Sequence, residues 1–275
     1  MIGREDIASA LRRLGVRSGH HVLVHSSLSS MGRVEGGAAT VVQALLDVVG
    51  AEGTVIAPTL TGSELIGPDT DIAFDVVSTP SWTGAIAEAV RTWPGAVRSV
   101  HPTHSVAAIG AAALRLTRGH ADCVTPCGEG SPYARLADDP AGMILLLGCD
   151  HESNTTLHHV EEMAGAKYHL QPLPVRCAIH WGDRTESRSY WVHRYGTPRD
   201  FAVIEPLLKE RGIQVQGAVG SATARLMPAS RLVSFGLDVL RASPLFFVKG
   251  AVASAPSSPR WVSGHDAVTR DNNEK

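Results

Sequence analysis

Short apolar runs alternate along the chain with stretches in which apolar residues recur every three or four positions. Met143-Ile144-Leu145-Leu146-Leu147 is continuous and apolar, as expected of a strand covered on both faces. His21-Val22-Leu23-Val24-His25, Thr54-Val55-Ile56-Ala57 and residues 105–109 predict further short strands, the second stopped by Pro58. Helical patterns lie between them. Ile7, Leu11 and Leu14 mark a helix over 5–15; Val41, Leu45, Val48 and Val49 mark another over 38–49, ended by Gly50. Helices are also expected over 82–92, 111–116, 156–164 and 201–209. Strands separated by helices argue for an α/β fold, here a layered α/β/α sandwich around a central, mostly parallel sheet. Alternation over 175–191 predicts an antiparallel pairing of 175–180 with 189–192, a small antiparallel lobe or insertion within 170–210. Residues 246–248 suit a late strand. No repeat or clean linker divides the chain, so residues 1–250 are expected to form a single domain. The Ser-, Pro- and Ala-rich stretch 251–275 is expected to be a flexible tail.

Chemistry concentrates just behind the most apolar strand. After Gly148, Asn154 or Thr155 can cap a helix on which His158 and Glu161 stand at i and i+3, with Glu162 at i+4. A histidine in the first helical turn feels the positive end of the helix dipole, which favours its neutral, proton-accepting form. A carboxylate one turn on pulls the other way and can hold the ring in one orientation. Together they make a candidate general base. The same spacing also describes an ordinary solvated helix start, so spacing alone leaves both readings open. His25 ends the first strand, and the loop Ser26 to Met31 offers hydroxyls and backbone N–H groups where open α/β sheets bind ligands. Arg33 to Ala38 fits a loose R-x-x-G-x-A pyrophosphate pattern, but about seven residues separate it from the strand, and it is read as coincidence.

Composition narrows the picture. A formal charge of −2 excludes a strongly basic nucleic-acid binder. No apolar signal region or membrane-length run is seen, so a cytoplasmic protein is expected. The cysteines show no paired spacing and read as reduced, buried thiols. Thirteen histidines raise the question of a metal, with His101 and His104, or His158, His159 and Glu162, as ligand-like components. No H-E-x-x-H or cysteine pair accompanies them, so no metal is expected. No G-x-S-x-G or P-loop motif occurs either. Residues 34–90 and 136–166 hold no Lys or Arg but contain eight and six acids. If these stretches adjoin, they form a face that draws a polycation. Glu64, Asp69, Asp71, Asp75, Asp138, Asp139 and Glu162 are its candidate ligand-binding residues.

Five motifs in series resemble the aminoglycoside 3-N-acetyltransferase family: Val24-His25-Ser26-Ser27-Leu28-Ser29-Ser30-Met31-Gly32; Phe74-Asp75 with Thr79-Pro80-Ser81 and Gly84; His101-Pro102 with Ser105 and Gly110; Gly130-Ser131-Pro132-Tyr133; and Asn154-Thr155-Thr156-Leu157-His158 with Glu161. The resemblance implies acetyl transfer from acetyl-CoA, as co-substrate, to the 3-amino group of an aminoglycoside, an activity that confers antibiotic resistance. It implies His158 as base, supported by Glu161, with His25 also in the active site. It further implies coenzyme A on Ser26, Ser27, Leu28, Ser29, Ser30, Met31, His101, Ser105 and Ser131. The partner would be a small polycation, with no nucleic acid or membrane, and the protein a monomer or homodimer. A metal-dependent hydrolase and a non-enzymatic binder of cationic ligands are the rival readings.

Overall fold

A computed structural model describes residues 1–63, 65–67 and 69–251. Its elements run α1 (Arg4–Leu14), β1 (His21–Ser26), α2 (Gly37–Val49), β2 (Thr54–Pro58), β3 (Ile72–Asp75), α3 (Ala85–Arg91), β4 (Val97–Arg98), β5 (Val106–Gly110), α4 (Ala113–Thr117), α5 (Pro132–Ala137) and β6 (Gly142–Leu147). They continue with α6 (Thr156–Met163), β7 (Val175–Trp181), β8 (Arg184–Tyr190), α7 (Glu205–Glu210), β9 (Val215–Val219), β10 (Ala222–Pro228) and α8 (Ala229–Ala242). Seven strands form one sheet in the order β4-β5-β2-β1-β6-β10-β9. The central trio β2-β1-β6 is parallel, and only β5 and β10 run against the other five strands.

Strand alternation explains the continuous apolar runs. Val22, Val24, Leu145 and Leu147 face one layer, where they pack with Ile7 and Leu11 of α1, Val41 and Leu45 of α2 and Ile86 of α3. Leu23, Ile144 and Leu146 face the other, against Leu116 of α4, Leu136 of α5, Leu157 and Val160 of α6, and Leu232 and Val239 of α8. A period of two on a sheet covered on both sides requires apolar residues at every position. Close approach of α6 and α8 depends on Gly236, where an added Cβ would lie 2.9 Å from Val160 Cγ1.

The small lobe is a second sheet, β3-β7-β8, around Phe74, Val175, Cys177, Ile179 and Tyr190. The antiparallel pair β7–β8 is present, but its second strand is Arg184–Tyr190 rather than 189–192, because a tight turn at Gly182 brings the chain straight back, with partners Val175↔Tyr190 to Trp181↔Arg184. The upstream strand β3 joins it in parallel, an addition the local pattern could not show. Residues 246–248 do not form the expected strand; they lie in a turn, and Val248 makes one isolated bridge to Arg199. Among the described residues no helix is long and apolar enough to cross a membrane. The tail from residue 252 and Glu64 lie outside the described residues.

Candidate active site

The register of the parallel pair places the site. Ser26 of β1 pairs with Leu147 of β6, so the loops leaving both strands emerge side by side at their C-terminal ends. Gly148 holds them together. It has φ +75°, and a Cβ there would come within 2.9 Å of Ser30 Cβ and 3.0 Å of the Ser27 carbonyl. A left-handed backbone in such close contact requires glycine. From this point the chain enters α6, where Asn154 Oδ1 accepts from the Thr156 N–H at 3.2 Å and begins the helix.

His158 lies in the first turn of α6, and its Nδ1 donates to Glu161 Oε2 at 2.9 Å. Glu161 is fully buried. The same oxygen lies 2.9 Å from His169 Nδ1, and Oε1 accepts from Arg199 Nε at 3.0 Å. Burial alone would raise the Glu161 carboxyl, but the bonds from His158 and His169 outweigh it and hold the group well below the ordinary carboxylate range. His158 is moved down by burial, against the raising pull of Glu161. The ring is therefore neutral, oriented through Nδ1, with Nε2 left for the cavity that it lines.

That cavity encloses about 240 Å³ between Val24, His25, Ser26, Leu60, Trp82, Glu152, Ser153, Thr155 and His158. His25 shares it with His158, as expected of a residue ending β1. Burial first, then the neighbouring His151 and His158, push the His25 pKa down to about 3, so that ring is neutral too. A second cavity adjoins the first through Ser26, Trp82 and Thr83 and is lined by Ser27, Leu28, Ser29, Gly32, Val34 and Gly37. The two make a continuous cleft. At one end is a carboxylate-held histidine; at the other are a serine loop and the N-terminus of α2.

Several expected site residues sit elsewhere. His101 and Ser105 are completely buried. His101 Nδ1 accepts from the backbone N–H of Thr103 and of His104, and Ser105 Oγ donates to the Thr59 carbonyl at 2.8 Å; both fix the turn before β5 and neither lines the cleft. Ser131 caps α5, accepting from the Ala134 N–H. Met31 is buried in the sandwich core, and exposed Ser30 donates to Ser27 without lining either cavity. The acidic face divides. Asp139 pairs with Arg115 at 2.5 Å and lies 3.7 Å from His21, at the opposite end of β1 from Ser26, roughly 16 Å of strand away. Asp138 adjoins it as the C-cap of α5. Asp75 accepts from the N–H groups of Val77 and Ser78 in its own turn, Asp71 pairs with Arg176 on the lobe surface, and exposed Asp69 lines neither cavity. The Glu162 side chain, 2% exposed, accepts from His193 Nε2 at 2.7 Å and from the Cys127 N–H, and it borders a separate cavity with His169 rather than the cleft. Residues the sequence did not single out complete the site: Trp82 and Glu152 in the cavity wall, and His169, His193 and Arg199 behind the catalytic-candidate helix. Trp82, expected to open a helix over 82–92, instead precedes α3 (which begins at Ala85), 61% exposed yet pinned by its Nε1 donating to the Gly62 carbonyl.

The arrangement defines a class: an α/β protein in which a histidine oriented by a buried carboxylate opens onto a cleft at the C-terminal ends of parallel strands. Comparison with known proteins identifies the family. The family model described as aminoglycoside 3-N-acetyltransferase matches residues 23–241. Aminoglycoside N(3)-acetyltransferase IX of Micromonospora chalcea is 32% identical over 273 residues, covering 88% of this chain and 94% of the relative. A solved structure of aminoglycoside acetyltransferase AAC(3)-IVa, a mutant in complex with gentamicin, superposes with a TM-score of 0.76 at 30% identity, covering 89% of this chain and 90% of its own. The binary complex of AAC-IIIb with CoASH gives a TM-score of 0.75 at 27% identity, with 91% and 99% covered. This chain belongs to the aminoglycoside 3-N-acetyltransferase family.

Proposed function

We propose that the protein transfers the acetyl group of acetyl-CoA to the 3-amino group of an aminoglycoside, with His158 as general base and Glu161 holding it. The observation that carries this reading is the bond from His158 Nδ1 to buried Glu161, which leaves Nε2 for the cavity shared with His25 and Glu152. Aminoglycoside amines are mostly protonated near neutral pH and must shed a proton to attack a thioester. One proton of the ammonium goes to solvent and frees the lone pair, and Nε2 takes a second from the nitrogen as the nitrogen–carbon bond forms. The developing imidazolium is stabilised by Glu161, and backbone N–H groups of the serine loop are the donors proposed for the oxyanion. Collapse breaks the carbon–sulfur bond, and the proton held on His158 passes to the departing thiolate. The products are the acetamide and free coenzyme A.

The second cavity suits the cofactor. Ser26, Ser27 and Ser29 offer hydroxyls, and Gly37 opens the N-terminal end of the thirteen-residue helix α2 onto it, where phosphate oxygens are favoured. The Arg33–Ala38 stretch thus enters the cleft wall through Val34 and Gly37 after all. Exposed Glu152 at the cavity rim is the carboxylate placed to meet an ammonium group of the acceptor.

Coenzyme A release measured over a panel of aminoglycosides tests the reading. Turnover is expected with acetyl-CoA and an aminoglycoside, and none without the acceptor. His158→Ala should lower kcat by roughly two to four orders of magnitude and leave coenzyme A binding within about tenfold of wild type. A variant that keeps most of its kcat removes His158 from the mechanism. Tight aminoglycoside binding with no thiol release would instead make the protein a cation binder.

A further inference from the structure

Only one end of an unbroken run of histidines takes part in the reaction above. His120 stacks on His101 at 4.8 Å, His101 lies 6.2 Å from His104, His104 4.1 Å from His193, and His193 4.0 Å from His169, which stacks at 5.1 Å on His158. In the middle of this run, one ring nitrogen of His104, one of His193 and Cys127 Sγ all lie within 4.8 Å of one another. All three residues are buried. We propose that His104, Cys127 and His193 bind one zinc ion, which fastens the exit of the small lobe to the sandwich beside the active site. The site stands independently of the acetyl-transfer reading.

The hydrogen bonds select the ligand atoms. His104 Nδ1 is engaged by Thr103 Oγ1 at 2.8 Å, which leaves Nε2. His193 Nε2 donates to Glu162 Oε1 at 2.7 Å, which leaves Nδ1 and supplies the carboxylate that ordinarily orients and strengthens a metal-bound imidazole. Cys127 is fixed from both sides, its N–H donating to Glu162 at 3.0 Å and its carbonyl accepting from His159 Nδ1 at 2.6 Å. Donor atoms on a tetrahedral zinc with bonds of about 2.0–2.3 Å stand about 3.5 Å apart, so a contraction of roughly 1 Å closes the set. One thiolate with two imidazoles suits zinc and excludes the oxygen-seeking magnesium and calcium.

Charge points the same way. The side chains of Glu161 and Glu162 are 0% and 2% exposed, and Arg199 is the guanidinium bonded to Glu161. A dication beside Glu162 would meet that second carboxylate, which also faces His169 Nε2 at 3.6 Å. Binding replaces the Cys127 thiol proton, and one proton leaves to solvent. A second triad, His158, His169 and His193, also has its ligand atoms within 4.8 Å of one another. It has no thiolate, and both His158 Nδ1 and His169 Nδ1 already face Glu161, so it is the weaker metal site. No sequence motif marks the proposed ligands, because they come from three distant segments: the turn before β5, the loop before α5, and the chain leaving β8.

The test is elemental analysis of the purified full chain, followed by metal removal with a chelator and titration with Co²⁺ and Zn²⁺. One zinc per chain is expected. Co²⁺ should give a thiolate-to-metal charge-transfer band that Zn²⁺ abolishes, and saturating Zn²⁺ should raise the Tm of stripped protein by about 5 °C. Cys127→Ser should lose the band and weaken Zn²⁺ binding by at least about a hundredfold, whereas Cys149→Ala and His158→Ala should keep it. Wild-type protein with neither a band nor a Tm response overturns the proposal, whatever the variants do. So does a band that survives Cys127→Ser. Loss of metal in His158→Ala with retention in Cys127→Ser moves the ion to the other triad.

Discussion

Glu161→Gln is the sharpest test of the proposed base, because the structure dictates which way the new amide must turn. Arg199 can only donate, and its Nε lies 3.0 Å from Oε1, so the amide oxygen takes that position. The amide nitrogen then occupies the Oε2 position, 2.9 Å from Nδ1 of both His158 and His169. An N–H there donates to His158 Nδ1 and drives the imidazole proton to Nε2, the nitrogen that should receive the substrate's proton. The base is present but in the wrong tautomer. The equivalent substitution in a serine protease triad costs about 10,000-fold in kcat, and loss of a general base as such costs about 100- to 10,000-fold. We expect a fall within that range, or about 3–5 kcal/mol of transition-state stabilisation. The acceptor KM should change by less than about threefold, since Glu161 is sealed from the cavity. Removing one partner of a buried ion pair costs about 3–5 kcal/mol of stability; Arg199, 13% exposed, can rehydrate in part, which favours the lower figure. The assay is steady-state thiol release, with near-ultraviolet circular dichroism to confirm folding. A folded variant with kcat within threefold of wild type refutes the argument.

Other expectations follow from the same geometry. Gly236→Ala drives a Cβ to 2.9 Å from the stiff Val160 side chain. The overpacking cost of about 1–3 kcal/mol less about 1 kcal/mol of helix propensity should leave a net loss near 1 kcal/mol in urea unfolding, and a gain in stability would show that α6 and α8 can separate freely. His25 and His120 are pushed down by burial to about 3 and about 4, whereas in the unfolded chain they titrate near 6.5. Their contribution is complete above that pH and is lost as pH falls, because the unfolded chain binds the extra protons. Each should cost about 2 kcal/mol by pH 5, so an unfolding midpoint unchanged between pH 7.5 and 5 would contradict neutral burial. Glu152→Gln should raise acceptor KM severalfold at low salt and less near 0.1 M, where exposed charges about ten ångströms apart are screened. Neutralising Asp138 with Asp139 should leave KM unaltered; the opposite result would put the acceptor at the wrong end of the sheet.

Periodicity alone determined the layers of this protein. A strand apolar at every position must be covered on both sides, and helices at the intervening spacings supply the cover, so β1, β2, β6, α1 and α2 were legible without coordinates. The pairing of His158 with Glu161 was legible for the same reason, since three residues along a helix is a local distance that backbone geometry fixes. Even α8 carried a readable signal in Leu232, Val233, Val239 and Leu240, although it was not picked out. Edge strand β9, with polar and glycine positions and mostly exposed residues, carried little. What surrounds the histidine was another matter. His169 reaches Glu161 by the turn eight residues on, but His193 and Arg199 reach Glu162 and Glu161 only because the chain returns from the small lobe to α6, and no local pattern encodes a contact between residues more than thirty positions apart. Burial decided the rest. His101 and Ser105 carry reactive side chains in a suggestive motif, yet His101 is held by the backbone of its own turn and Ser105 by the Thr59 carbonyl after β2. Asp138 and Asp139 share a loop-like, acidic stretch with Asp150 and Glu152, but the six residues of β6 put them at the far end of the sheet. A sequence records which residues want water. Which end of a strand they occupy, and which charges they meet there, is set by chain crossings that only the tertiary fold makes.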